Sequence, residues 1–192
     1  MKRRKLTTPL KSVLIICCLL LAFACPSLAK DVRLSDFAVS NNRDDLLIFF
    51  KVQGAFKDEM IEAIRNGIPT TFSFFIRLEQ DGPLWFKQLI TEKQITHTIK
   101  YNNLKNEYVV KRSWDDNKPI TTDSFEQAKA LMSEIKSLRI TALANLQKTE
   151  HYQIRAKAEL DKVTLPLNLH YIFFFTALWN FETSWHTFEF EY

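Results

Sequence analysis

The chain has 192 residues, 46% of them hydrophobic and 13% aromatic, with 26 basic and 22 acidic residues and a formal net charge of +4. Five of the basic residues, Lys2, Arg3, Arg4, Lys5 and Lys11, precede residue 30 and no acidic residue does, which leaves 21 basic against 22 acidic beyond that point. The near-neutral remainder excludes a basic footprint for nucleic acid, and three glycines, Gly54, Gly67 and Gly82, are too few for a phosphate-cradling loop or a dinucleotide fingerprint, which excludes nucleotide binding by those routes.

The chain opens on four charges in Met1-Lys-Arg-Arg-Lys5, continues with an apolar run from Val13 to Ala24, and then offers small residues at Ser27-Leu28-Ala29. This order of charged, apolar and small-residue regions predicts a cleavable signal peptide over 1–29, cut between Ala29 and Lys30. The apolar run is shorter than the roughly 20 residues that a membrane-crossing helix needs. Two alternatives stay open. Ala22-Phe23-Ala24-Cys25 faintly resembles a lipoprotein box, which would anchor the protein through Cys25, and Arg3-Arg4 faintly resembles a twin-arginine signal. Cys17, Cys18 and Cys25 all fall before residue 30, so residues 30–192 are expected to form one domain with neither a disulfide nor a reactive thiol. The expected location is the periplasm.

Val32 to Ser40 and Leu46 to Gln53 read as a first strand pair joined through Asn41-Asn42-Arg43-Asp44, with a phase shift between Leu34 and Phe37 that predicts a bulge. Asp58 is placed to cap a short helix carrying Met60, Ile61 and Ile64, which Asn66-Gly67 and Pro69 should stop. Thr70 to Glu79 alternates strictly, with Phe72, Phe74, Ile76 and Leu78 on one face. Ile95, His97, Ile99 and Tyr101 repeat the pattern, and the asparagine-rich segment 102–106 turns the chain into a partner strand, Glu107 to Arg112.

A second helix, opened by a Ser124 and Gln127 capping box, is expected to be long, with Phe125, Ala128, Leu131, Met132, Ile135, Leu138 and Leu146 near one face. Tyr152 to Asp161 alternates again. The aromatic stretch from Leu165 to Tyr192 should add two strands with a break near Asn180 or His186. The fold class is therefore mainly β: an antiparallel β-sandwich of immunoglobulin-like architecture, with one short and one long α-helix packed on it.

No constellation with the spacing of a catalytic or metal site emerges. His97, His151, His170 and His186 are isolated, no serine sits in a strained elbow, and Glu59, Glu62, Asp115 and Asp116 fall where solvated charge is the default. No enzyme and no cofactor is expected. An enzyme would need groups such as Arg77, Arg155, Tyr101, Tyr108 and His97 to converge on one cleft. The aromatics near the C-terminus are expected mainly in the core. As a candidate contact for an apolar ligand or a partner, the pattern singles out Phe125, Leu131, Phe173, Phe175, Trp179 and Trp185. The sheet edges and the loop from Trp114 to Pro119 are further contact candidates.

Glu62-Ala-Ile-Arg-Asn-Gly-Ile-Pro69 with the Phe72 to Leu78 strand, Ile99-Lys-Tyr101 with Asn102-Asn-Leu104 and Glu107-Tyr108, then Tyr152, Arg155, Leu160-Asp161 and Leu165-Pro-Leu167, together resemble the family known as domain of unknown function 4390. The resemblance spans nearly all of residues 30–192. It implies an exported bacterial envelope protein, in some lineages encoded beside a nitrogen-regulation-type sensor kinase, and it implies no catalytic residues. The expected function is a non-enzymatic protein-interaction or accessory module acting on an envelope or inner-membrane protein. The alternatives are a periplasmic carrier of a lipid or other apolar ligand, and an accessory to a membrane sensor kinase.

Overall fold

A computed structural model describes residues 32–161 and 181–192. Their elements run β1 (Arg33–Asn41), β2 (Asp45–Gln53), α1 (Asp58–Arg65), β3 (Thr70–Asp81), β4 (Lys87–Asn102), β5 (Glu107–Arg112), β6 (Ile120–Thr122), α2 (Phe125–Ser133), β7 (Glu134–Ala142), β8 (His151–Leu160) and β9 (His186–Glu191). The strands form two antiparallel sheets, one of order β1-β2-β7 and one of order β6-β5-β4-β3-β8-β9. The architecture is mainly β, with two helices and with one sheet curled into a half-barrel. The signal peptide, its cut between Ala29 and Lys30, Cys25, and any strand between residues 162 and 180 lie outside the described residues.

Period-two patterning places the core. On β3, Phe72, Phe74, Ile76 and Leu78 are buried, and Ile154, Ala156 and Ala158 of β8 continue the same inner face. The two sheets meet there, with the Phe50 ring of β2 5.9 Å from that of Phe74. Phe37 of β1 lies 5.7 Å from Phe50 and 5.9 Å from Phe188 of β9. The anticipated bulge is present: the β1/β2 register shifts between Ser35 and Ala38, and Asp36 takes a left-handed φ of 53°. The turn at Asn41-Asn42 works as expected too, since Asn42 Oδ1 accepts from the amides of Asp44 and Asp45 at 2.8 and 2.6 Å.

The helices require two corrections. In α1 the cap position is Lys57, with no side-chain cap bond, and Asp58 instead lies in the first turn, where its charge complements the helix dipole. The second helix is short. Ser124 Oγ does accept from the Gln127 amide, but α2 ends at Ser133, and residues 134–142 form β7 on the edge of β2. The three-residue spacing of Ile135 and Leu138, helical on its face, arises here from an extra strand residue. Phe50 pairs with Ile135 and Ile48 with Leu138, and Ser137 absorbs the surplus at φ 60°. Ile135, Leu138 and Ile140 thereby all enter the core, and Leu146 is buried beyond the 3-10 turn Leu143–Asn145.

Candidate functional site

Among the described residues, three of the four exposed large hydrophobic side chains, Leu84, Phe86 and Leu89, lie on the β3–β4 hairpin. Its strands pair out to Asp81 opposite Lys87, whereas β5 begins its pairing with β4 only at His97. Residues 87–95 of β4 therefore have β3 as their strand partner on one side and, among the described residues, none on the other. The turn between them is Gly82-Pro83-Leu84-Trp85-Phe86. Leu84 is 81% exposed, Phe86 75% and Leu89 50%.

This tip has a defined shape. The Gly82 amide donates to the Phe86 carbonyl at 2.8 Å, and the Phe86 amide donates to Pro83 at 3.4 Å. A side chain at position 82 would bring its Cβ within 2.7 Å of that carbonyl, so the turn closes only around glycine. Leu84 sits in the left-handed region at φ 57°, a conformation that costs a leucine about 1 kcal/mol. A hydrophobic side chain is thus held outward at a position better suited to glycine or asparagine. At the base of the turn Lys87 Nζ lies 3.2 Å from Asp81, neutralising the charge there.

Behind the hairpin, His97 is fully buried. Trp114 Nε1, which is only a donor, gives its hydrogen to His97 Nε2 at 2.8 Å; His97 Nδ1 must then carry the proton and donate to the Met132 carbonyl at 2.9 Å. Burial holds the imidazole pKa down to about 4, with nearby Arg112 adding to the effect against the backbone bond to Met132. Arg112 in turn lies over the Trp114 ring at 4.6 Å and bonds Asp115 at 2.6 Å. Trp114 is therefore half-buried, with its indole N–H committed to His97.

On the outer face of the large sheet, Arg77 and Arg155 stand directly opposite each other on β3 and β8. The Trp185 ring covers both, 5.2 and 5.0 Å from the guanidinium carbons, and reaches Lys157 at 5.6 Å. Glu92 takes Arg77 at 2.8 Å, while Lys157 is shared by Glu159 and Glu182. A concavity of about 630 Å³ lies elsewhere on the surface, between Asn66-Gly67 and the β4–β5 hairpin, with Lys100 and Lys111 in its lining.

The candidate residues do not gather at one place. Phe125 opens α2 on the inner side, 5.5 Å from Tyr108 and 6.0 Å from Phe56. Leu131 borders a separate hollow of about 280 Å³ with Arg112, Gln127 and Glu134. Trp185 is on the opposite face of the sheet, whereas Phe173, Phe175 and Trp179 lie outside the described residues. Of the groups named for a cleft, His97 and Tyr108 are buried inside, with the Tyr101 ring 4.7 Å from that of Tyr108, while Arg77 and Arg155 face outward. Among the described residues, no group of three or more His, Cys, Asp or Glu side chains is placed to hold a metal ion, and no helix is long and apolar enough to cross a membrane. The hairpin tip was missed in the sequence; its signal is an uncharged Pro-Leu-Trp-Phe run placed where polar turn residues are usual.

The family described as "Domain of unknown function (DUF4390)" matches residues 29–189, and the chain belongs to it. No curated protein and no solved structure matches the chain.

Proposed function

From membership of that family, which carries no assigned activity, we propose that the protein is an exported, non-enzymatic accessory module of the bacterial envelope, and that it works by docking through its β3–β4 hairpin tip. The observation that carries the reading is the tip itself: a glycine-closed turn that holds Leu84 and Phe86 in solvent at 81% and 75% exposure. Exposed apolar side chains gathered on one turn are a feature of interaction sites. The charged, apolar and small-residue order of 1–29 supports export, and the periplasm is the location proposed with it. The scaffold is read as a β-sandwich, supported by the meeting of Phe50 and Phe74 between the sheets.

The carrier reading is less well supported, because Ala128 and Met132 on the underside of α2 are fully buried against the core. A sensor-kinase partner is one special case of docking; a strain lacking the protein whose kinase output is unchanged would remove it.

The test compares the wild-type protein with a Leu84→Asp, Phe86→Asp variant by cell fractionation and intact mass. The expected result is a mass that begins at Lys30, with wild-type protein in the envelope pellet and the variant released to the soluble periplasmic fraction. A variant that distributes as the wild type does would overturn docking by the tip. An intact mass that includes residues 1–29 would overturn export by cleavage, and an acylated Cys25 would replace it with lipid anchoring.

A further inference from the structure

We infer that the occupant of the hairpin tip is the lipid surface of a membrane, entered to shallow depth by Leu84 and Phe86; this rests on the docking reading above.

Four observations converge. First, Gly82 to Phe86 contains no charged residue, and its leucine, tryptophan and phenylalanine are types favoured at the boundary between headgroups and acyl chains. Second, the turn satisfies part of its own backbone. Of four amide hydrogens in Gly82 to Phe86, those of Gly82 and Phe86 are bonded within the turn, and Pro83 has none to bury. An apolar medium penalises unbonded amides, so a turn with two of its four bonded internally is suited to shallow entry and not to the hydrocarbon core. Third, charge resumes at the base of the turn, where Asp81 and Lys87 pair at 3.2 Å. That pair sets a depth limit, because carrying it into the hydrocarbon would strip both ions of water.

The fourth observation is size. A stable protein–protein contact buries about 800 Å² on each partner. Leu84 and Phe86 on the turn and Leu89 on β4 present much less, and beyond Leu89 and the half-buried Ile90 the strand turns polar at Thr91, Glu92 and Lys93. A wedge of two or three side chains suits a fluid surface that closes around it. Because the tip is uncharged and its base is neutral, attraction to anionic lipid plays no part, and binding should be insensitive to salt.

The experiment places a photo-reactive amino acid at position 84, 86 or 104 of the full chain in living cells. Leu104 is the control, since it is 96% exposed but lies in the turn at the far end of β4. The expected result is adducts with the mass of one phospholipid at 84 and 86 and none at 104. A protein adduct of one defined mass at 84 and 86 would overturn the lipid assignment and leave docking standing. Labelling at 84 and 86 no greater than at 104 would overturn both. A second measurement uses the processed protein and neutral phosphatidylcholine vesicles: the Leu84→Asp, Phe86→Asp variant should bind at least tenfold more weakly, equally at low and high salt. Wild-type binding that collapses on adding salt would overturn the uncharged mode of insertion.

Discussion

Trp114 donates from its indole Nε1 to His97 Nε2 across 2.8 Å, and this one bond decides the chemistry of the only fully buried histidine among the described residues. It commits Nε2 to accepting, so His97 is neutral with its proton on Nδ1, and protonation would break the bond to the indole as well as place a charge in the core. The depressed pKa of about 4 against an ordinary 6.5 sets the pH window. Between those values the unfolded chain takes up a proton that the folded chain refuses, so stability rises with pH. The contribution is fully present above about pH 6.5 and lost as the pH falls through about 4, a span of roughly 3 kcal/mol at most. Denaturant unfolding between pH 4 and 7 should show this slope, and His97→Gln should flatten it. A variant that keeps the full slope would assign it to carboxylates elsewhere.

Trp185 should act as a clamp on like charges. Arg77 and Arg155 are directly opposed, a pairing that is destabilising on bare antiparallel strands. The shared indole face offsets it. Trp185→Ala is expected to cost roughly 1–3 kcal/mol. Arg155→Ala in that background should recover part of the loss by removing the repulsion, whereas Arg155→Ala alone should not stabilise. A double-mutant cycle with no coupling between positions 155 and 185 would rule out the clamp.

At the helix-to-strand junction, Ile135→Ala should cost about 2–5 kcal/mol, because Ile135 is buried in the core. Ser137→Gly should do the opposite, since Ser137 is held at φ 60°; a gain on the order of 1 kcal/mol follows from relieving the left-handed serine. Thermal unfolding of the two variants checks both signs, and loss of stability in Ser137→Gly would mean that the bulge is not where the strain resides.

The tip should separate stability from function. Leu84 and Phe86 touch little of the core, so Leu84→Ser and Phe86→Ser should leave the unfolding free energy within about 0.5 kcal/mol of wild type. Gly82→Ala should not be neutral, because its Cβ meets the Phe86 carbonyl. An unfolding free energy that drops by several kcal/mol in the serine variants would show the tip to be structural.

Much of the strand layout was legible because alternation is a local property. In β3, β8 and the β4–β5 hairpin, one face is buried and the other wet, and the residue pattern reports that directly. Asparagine turns and the Leu34–Phe37 bulge were readable for the same reason: their causes lie within a few residues. The segment 134–142 was not, because Ile135 and Leu138 satisfy a helix and a bulged strand equally well by spacing. The open edge of β2, 80 residues and more away, made it a strand by pairing with it.

The sequence by itself determined the β-rich class, the family, the hairpins and most of the core, since burial of alternating apolar side chains is written in order along the chain. Tertiary structure alone decided the rest. It put Trp114 against His97, set three cations around Trp185, and left Leu84 and Phe86 in solvent beyond the end of the sheet. The physical reason is that hydrophobicity specifies a preference for burial, whereas which surfaces receive a partner depends on strand lengths and register between distant segments. Those determine where the sheet stops, and hence which apolar residues remain uncovered.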